Sequence, residues 1–289
     1  MDAMRPAKAG RWVPYALIAP SVLFLLIFFV WPLGEALGLA FHTDGTGAAG
    51  LANFRKMASD LNFGDALKNT LLISVIAVPL QLVLALGLAS LVSGMEKGRS
   101  GLLYVLTIPL AVSDLAAGIA WLSIFTQNGY LNSTLQALGI THQPVSFLTQ
   151  DSPLGLLAAV VLAELWRATA IVLVVLVAGM QLIPRMYAEA ADVFGATPWK
   201  RFLWITLPLL KPSIQNALIL RTIAAFEIFA VASALGGRNL PVLAGESYAW
   251  YGTYQNPGVA AAYAVLIMVL TLMITLVYLT VIRVRKEAM

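Results

Sequence analysis

Five charged side chains lie inside long apolar stretches and are the residues best placed to do chemistry: Asp114, Glu164, Arg167, Arg221 and Glu227. A charge in hydrocarbon costs at least about 2.5 to 3.5 kcal/mol on insertion scales, so each group should face protein or water. Glu164 and Arg167 are three residues apart on one helical face and can pair directly. Arg221 and Glu227 are about 240° apart around their helix and should find partners elsewhere.

Two interpretations of these groups remain open. In the first, Asp114, Arg221 and Glu227 line a polar translocation path and hydrogen-bond a solute. Flat apolar ring faces suited to sugars would come from three aromatic residues, Trp121, Trp166 and Tyr263. In the second, the charges are interhelical pairs that set packing. The structural interpretation is favoured for each residue, and Glu164 with Arg167 is predicted to be a purely structural pair.

Recognisable catalytic motifs are missing from the sequence. There is no GxSxG elbow, no GxxxxGK[ST] phosphate loop and no cysteine. His42 and His142 are far apart and lack HExxH spacing, so no metal site is expected. The chain is predicted not to be an enzyme, and any ATP must be hydrolysed by a partner.

Composition identifies an integral membrane protein. The 289 residues are 60% hydrophobic and only 11% charged, and the mean hydropathy is +0.85. Several apolar runs reach the roughly 20 residues that cross a bilayer as helix. Continuous apolar runs exclude a transmembrane barrel, whose strands would alternate. We predict an all-α bundle in one membrane domain, residues 1–289, with six spans near residues 14–41, 67–93, 102–126, 154–181, 211–235 and 258–282.

The basic residues predict the topology, because short loops rich in Lys and Arg stay cytoplasmic. Most of them flank one side of the spans: Arg5, Lys8, Arg11, Lys97, Arg99, Arg185, Lys200, Arg201, Lys211, Arg283, Arg285 and Lys286. Only Arg55, Lys56, Lys68 and Arg238 fall in or beside the opposite loops. Both termini are therefore predicted to be cytoplasmic. This pattern also accounts for the net charge of +4, so no nucleic-acid partner is expected.

The segment 184–208 is predicted to be two short helices joined by a glycine corner. Pro184 suits the first position of a helix whose apolar face carries Met186, Ala190 and Val193, and Gly195 can end it. Thr197 is a typical N-cap with Pro198 at the first helical position, and Pro208 should stop the second helix. An amphipathic helix resting on lipid, anchored by Trp199, Phe202 and Trp204, is the alternative.

The order of residues in this segment resembles the cytoplasmic "EAA" loop of permease subunits in binding-protein-dependent ABC importers. The matching residues are Glu189, Ala190, Ala191, Gly195, Ala196, Phe202, Ile205, Leu207 and Pro208. Phe194 departs from the pattern, since the family often has Asp there. Weaker matches spread over the chain are similar to the carbohydrate-uptake branch, the first permease of maltose, trehalose and glycerol-phosphate importers. They are Trp31-Pro32, Ile108-Pro109, Gly129 to Asn132, Leu182 to Pro184, Arg221 to Phe229 and Gly236-Gly237.

The resemblance implies a type I ABC importer permease fold with a cytoplasmic coupling helix, in a prokaryotic inner membrane. It implies that Glu189, Ala190, Ala191, Gly195 and Ala196 dock on an ATPase dimer that uses ATP and Mg²⁺; no cofactor is expected in this chain. The further implied partners are a second permease and an extracytoplasmic solute-binding protein, with lipid around the bundle. A sugar or related small polar solute would be carried.

Two alternatives belong to other classes. A stand-alone secondary transporter or channel would need no ATPase, but the two halves of the chain do not offer the matching interrupted helices of an inverted repeat. An intramembrane enzyme would need clustered catalytic groups, and the sequence provides no recognised set.

Overall fold

The computed structural model describes residues 12–42 and 49–282. The predicted charges of both termini, Arg5, Lys8, Arg11, Arg283, Arg285 and Lys286, lie outside these residues. The described part is helical, which confirms the all-α prediction. In chain order the helices are α1 Val13–Leu25, α2 Trp31–Phe41, α3 Ala52–Ala58, α4 Phe63–Ser93, α5 Arg99–Thr107, α6 Asp114–Phe125, α7 Tyr130–Ala137, α8 Pro153–Gln181, α9 Met186–Val193, α10 Pro198–Arg201, α11 Leu207–Leu209, α12 Lys211–Phe226, α13 Ala230–Gly236, α14 Leu243–Gly252 and α15 Pro257–Val281.

Four unbroken helical runs in the described residues are long and apolar enough to cross a membrane: Val13–Phe41, Phe63–Ser93, Pro153–Gln181 and Pro257–Val281. Two bent pairs bring the number to six if each pair counts as one span. The first, second, fourth and sixth predicted spans therefore coincide with single helical runs, whereas the third and fifth differ.

The predicted third span, 102–126, is broken near its middle. Residues Arg99–Ala111 and Asp114–Ala137 meet at 95°. Pro109 has no amide hydrogen to donate, and the chain around it tightens into a 3₁₀ turn, Ile108–Ala111. The helix then restarts at Ser113, whose hydroxyl accepts from the Ala116 amide at 3.2 Å.

The predicted fifth span, 211–235, is also wrong as one helix. α12 ends at Phe226, and α13 begins only at Ala230. The run that bends into α12 is instead Pro198–Leu209, at 68°. No proline or glycine marks the break after Phe226; Ile228 is buried there with Val231 and Leu235 in a cluster with α8 residues. Tertiary packing therefore sets this break.

A wider helical turn precedes two of the prolines that lie inside helical runs, Pro32 and Pro208. Leu26–Val30 and Phe202–Thr206 are five-residue π-helical segments, and Pro32 and Pro208 each follow two residues later. An α-helical turn would bring the proline ring against a carbonyl one turn back, and the π geometry is a recognised irregularity that relieves such conflicts. The second loop helix ends at Leu209, one residue beyond the proline that was predicted to stop it.

α4 and α8 form the centre of the bundle through small side chains. The buried face of α4 includes Ala66, Ser74, Ala77, Ala85 and Ala89, recurring at helical spacing. Small residues let two membrane helices approach closely when lipid gives no hydrophobic drive for association. Larger apolar side chains, such as Leu173 and Leu176, fill the space around this contact.

The contact between α6 and α13 depends on a glycine. A Cβ added at Gly118 would lie 2.6 Å from the Ala234 Cβ and 3.3 Å from the Val231 Cα. We expect Gly118→Val to lower stability by about 1–3 kcal/mol, the usual cost of overpacking. Gly87→Val is the control, because nothing lies within 4 Å of a Cβ at Gly87. Thermal unfolding in one detergent measures both; equal midpoints would contradict the packing.

Candidate functional site

The loop after α8 turns sharply at Gly195 through a hydrogen-bonded helix ending. The Ala196 amide donates to the Ala191 carbonyl at 2.9 Å and the Gly195 amide to the Asp192 carbonyl at 3.0 Å. This pair of bonds defines a Schellman motif, and Gly195 has the positive φ of +69° that the motif requires. The predicted glycine corner is present. The helix before it begins at Met186, so Pro184 precedes it and does not occupy its first position.

The second arm of the loop begins as predicted. The Thr197 hydroxyl caps α10 by accepting from the Lys200 amide at 3.4 Å, and Pro198 occupies the first turn. Trp199 and Phe202 stack with their ring centroids 5.9 Å apart. The whole arm is continuous in helical geometry up to the bend at Leu210. The arm therefore runs without interruption from the corner to the bend that precedes α12.

An ion pair that the sequence analysis missed braces the corner. The Arg201 guanidinium donates to Asp192 Oδ1 at 3.0 Å and to Oδ2 at 3.2 Å, which joins α9 to α10. Both side chains are exposed enough for solvent to weaken the pair. A single guanidinium nitrogen, Nη1, contacts both carboxylate oxygens, so the pair links the two arms and adds at most about 1 kcal/mol of stability.

The tip of the corner is apolar and almost fully exposed. Val193 is 85% exposed and Phe194 is 89% exposed, and neither was among the predicted docking residues. Glu189, Ala190 and Gly195 are exposed, whereas Ala191 is buried against the subunit. The predicted apolar face of Met186, Ala190 and Val193 is therefore not packed within this chain.

A cavity of about 510 Å³ separates the loop from the ends of α4 and α8. Arg99, Arg185 and Arg201 line it together with polar residues such as Ser90 and Tyr187. In the described part of the chain no acidic side chain is among its lining residues, so the cavity is electropositive. It leaves the loop room to shift against the bundle.

Near the middle of the bundle, four of the five predicted intramembrane charges form one connected network. Glu164 Oε2 binds the Arg221 guanidinium, and Glu164 Oε1 lies 3.7 Å from Arg167. Arg167 pairs with Asp114 Oδ1 at 2.8 Å. The Arg221 Nε donates to Gln81 Oε1 at 2.6 Å, and the side-chain amide of Gln81 donates to the backbone carbonyl of Glu164 at 3.0 Å. The network joins α4, α6, α8 and α12.

The network changes character from its buried end to its open end. The side chains of Arg221 and Glu164 are 4% and 3% exposed, that of Arg167 is 16% exposed, and that of Asp114 is 55% exposed. Two carboxylates balance two guanidinium groups. The predicted contact between Glu164 and Arg167 is present, but the tightest buried pair is Glu164 with Arg221, and Arg167 also pairs with Asp114 at the more open end.

The predicted aromatic residues separate into two places. Trp121 and Trp166 meet edge to face, with centroids 6.4 Å apart, and Trp166 is exposed. Tyr263 is fully buried, and its hydroxyl donates to Asp60 Oδ2 at 3.0 Å. The Trp250 indole donates to the same oxygen at 2.6 Å. The prediction that Tyr263 offers a free ring face is contradicted by this burial.

Glu227 is exposed at the end of α12 and makes no side-chain hydrogen bond or ion pair with the described residues.

Comparison with known proteins gives one family. Residues 81–284, more than half of the chain, match the family described as "Binding-protein-dependent transport system inner membrane component". The trehalose/maltose transport system permease protein MalF of Thermococcus litoralis is 33% identical over 98% of this chain and 96% of its own length. The sulfoquinovosyl glycerol transport system permease protein SmoG of Agrobacterium fabrum is 34% identical over 94% and 91%. A bacterial ABC transporter involved in alginate import has a chain of the same fold, with a TM-score of 0.80, 24% identity and coverage of 94% and 95%.

The buried pair makes a quantitative prediction. Arg221→Met should destabilise the protein by about 3–5 kcal/mol, because it strands the Glu164 carboxylate without its main partner. Adding Glu164→Gln should restore much of that loss, because the buried charge is then gone. Denaturation in detergent measures both.

Arg201→Met is the matched control, since it breaks an exposed pair and should cost no more than about 1 kcal/mol. A double variant less stable than Arg221→Met alone would contradict the assignment.

Proposed function

Since this chain belongs to the family of binding-protein-dependent transport system inner membrane components, we propose that it forms half of the translocation path of an ATP-driven importer for a sugar or related small polar solute. The relatives named above carry trehalose and maltose, or sulfoquinovosyl glycerol, in their names. This supports a glycan or glycoside as the class of solute.

The observation that carries the coupling role is the braced corner with its free apolar tip. A patch such as Val193 and Phe194, at a loop end and nearly fully exposed, is typical of a protein–protein contact. We assign the partner as an ATPase dimer at the cytoplasmic face, which binds ATP and Mg²⁺ and hydrolyses the nucleotide. Glu189, Ala190, Ala191, Gly195 and Ala196 are the proposed docking residues, to which the structure adds Val193 and Phe194 as candidates.

The proposed transmission begins at this corner. The Schellman bonds and the Asp192–Arg201 pair keep the two arms at one angle, so a push on the tip moves the loop as a unit. The cavity behind the loop provides the space for that movement. The second arm runs into α12 at the bend, and α12 carries Arg221 of the central network. ATPase closure would thereby reach the middle of the bundle.

Within the path, exposure favours Asp114, Arg167 and Trp166 as groups that meet the solute. Asp114 is half exposed, and the Arg167 Nε is buried without a hydrogen-bond partner in the described structure. A solute hydroxyl would donate to the exposed Asp114 carboxylate, and Trp166 with Trp121 would offer an apolar wall. Arg221 and Glu164 hold the helices in place, and Glu227 stays a candidate for the path.

The arrangement of α1 supports a partner outside the subunit. None of the residues of α1 or of the following π segment is buried. The whole run Val13–Phe41 is long and apolar enough to cross a membrane. Because its first part is not buried in this subunit, it must lie against lipid or another protein, and a second permease is the proposed neighbour. The solute-binding protein is proposed to dock at the opposite membrane face, with both termini of this chain in the cytoplasm. A stand-alone carrier would leave the braced corner and its tip without a partner.

Substitution at Gly195 tests the coupling role. A Cβ there meets nothing within 4 Å among the residues that the structure describes, and Asp tolerates positive φ better than most residues. The subunit should therefore fold normally with Gly195→Asp, while the added charge and bulk disturb the partner's surface. We expect reconstituted complexes to lose uptake by roughly tenfold or more, equivalent to about 1.4 kcal/mol, with ATP hydrolysis no longer tied to transport.

Gly195→Asn is the matched control for size and backbone, so a difference between the two variants reports charge. Co-purification of the native chain in mild detergent identifies the partners by mass spectrometry, with a Glu189 and Gly195 double variant for comparison. Normal uptake by a stable Gly195→Asp variant would sink the coupling role. Recovery of the chain alone, with transport retained, would favour a secondary carrier.

A further inference from the structure

A second cavity lies at the end of the bundle away from the coupling loop, where α13 is joined to α14. Its volume is about 240 Å³. Residues of the 3₁₀ turn Gly237–Asn239 and of α14 line it, with Phe229 at one wall. This volume is below the roughly 300–1,000 Å³ of pockets for drug-sized ligands, so it suits one small ring.

Glu246 brings an unpartnered polar group to this cavity. The residue is 6% exposed, and its Oε2 is buried without a hydrogen-bond partner in the described structure. Nearly all buried polar groups in proteins have a partner, and an orphan costs about 1–3 kcal/mol. A hydrogen-bond donor placed in the cavity would remove that cost.

The charged groups around Glu246 do not supply the missing donor. The neighbouring Asp60 is itself occupied, since its Oδ2 accepts from the Trp250 indole and the Tyr263 hydroxyl. Burial and the like charge of Asp60 raise the pKa of Glu246, whereas a side-chain hydrogen bond from Asn62 and the charge of Arg238 act in the opposite direction. The oxygen without a partner is Oε2. Arg238 is exposed at the cavity and uses its Nη2 to donate to the Tyr254 hydroxyl at 3.2 Å.

An aromatic wall completes the cavity. Phe229 and Tyr248 have ring centroids 5.0 Å apart at an interplanar angle of 35°, and Tyr248 is 64% exposed. An apolar ring face beside a carboxylate and a guanidinium matches a polyhydroxylated ring, whose C–H face packs on an aromatic side chain while hydroxyls donate and accept.

We propose that this cavity is an outer subsite for one ring of a neutral polyhydroxylated solute, with one solute hydroxyl donating to Glu246 and another accepting from Arg238. The inference rests on the proposed import function and deepens it. The subsite lies apart from the central charge network, so the solute would meet it before the path between α6 and α8. A metal ion is a poorer fit, since no group of three acidic, His or Cys side chains in the described residues could hold one.

The test uses the complete importer, without solute-binding protein, in detergent. Equilibrium binding of radiolabelled trehalose and maltose is measured on this preparation, and ATPase-driven uptake is measured separately in vesicles with the solute-binding protein present. Glu246→Gln and Tyr248→Ala should each weaken sugar binding by roughly tenfold, which is the effect of about 1.4 kcal/mol. Tyr251→Ala is the matched control, because Tyr251 is equally exposed on the same helix and is not among the residues lining the cavity.

The possible outcomes distinguish a failure of the proposed import function from a failure of the proposed subsite. A wild-type complex that transports neither sugar nor any other neutral glycoside would overturn the import function itself. Transport with wild-type affinity in Tyr248→Ala and Glu246→Gln would overturn only the subsite and leave water as the partner of Glu246. If Glu246→Gln fails to fold, Tyr248→Ala with its Tyr251→Ala control still decides.

The pH dependence of stability provides an independent measurement on Glu246. Its folded pKa is raised above the usual 4.5, so the folded protein holds this proton more tightly than the unfolded chain does. Stability from this group is present below pH 4.5 and is lost as the pH rises through the folded pKa. Glu246→Gln should therefore raise the thermal midpoint at pH 7.5, and the gain should shrink as the pH approaches 4.5. An equal gain at both values would show that burial does not strain the carboxylate.

Discussion

Hydrocarbon offers no hydrogen bonds, so every charge and every backbone group inside the bundle must be satisfied by the protein itself. The pair of Glu164 and Arg221 meets this requirement at the centre of the subunit, with Gln81 bound to both sides of it. A pair of this kind adds little net stability, but loss of either partner strongly destabilises the fold. It therefore specifies the positions of α4, α8 and α12 relative to one another. The more open pair of Arg167 and Asp114 depends on those positions.

The same requirement governs the interruptions of the helices. The break before Asp114 is tolerated because Ser113 caps the new helix, and it leaves a carboxylate at a helix N-terminus, where the dipole favours negative charge. The breaks and bends of the helices leave non-helical backbone at positions where the bundle needs polar side chains. A bundle of six straight helices would have fewer such positions.

Local signals in the sequence were sufficient for the glycine corner of the loop and for the cap of its second helix. Gly195 and Thr197 act through hydrogen bonds to residues only a few positions away, and both were identified from their types and neighbours. In the central network, the i,i+3 spacing predicted the contact of Glu164 with Arg167. The contacts of Arg221 were not predicted, because Arg221 and Gln81 are 140 residues apart and no local rule reports such a contact. Gln81, an amide in an apolar span, was the signal available. The exposed tip of Val193 and Phe194 was missed because apolar residues on a short helix are ordinarily expected to pack.

The two π segments also alter the phase of the helices that contain them. An i→i+5 turn accommodates about one more residue than an α turn, which is roughly 100° of rotation about the axis. A helical wheel drawn through residues 13–41, or through 198–209, as uninterrupted α-helix would therefore misplace every side chain beyond Val30 or Thr206 by that angle. Inserted residues of this kind reset which side chains face lipid and which face protein, without any change in the apolar character of the sequence.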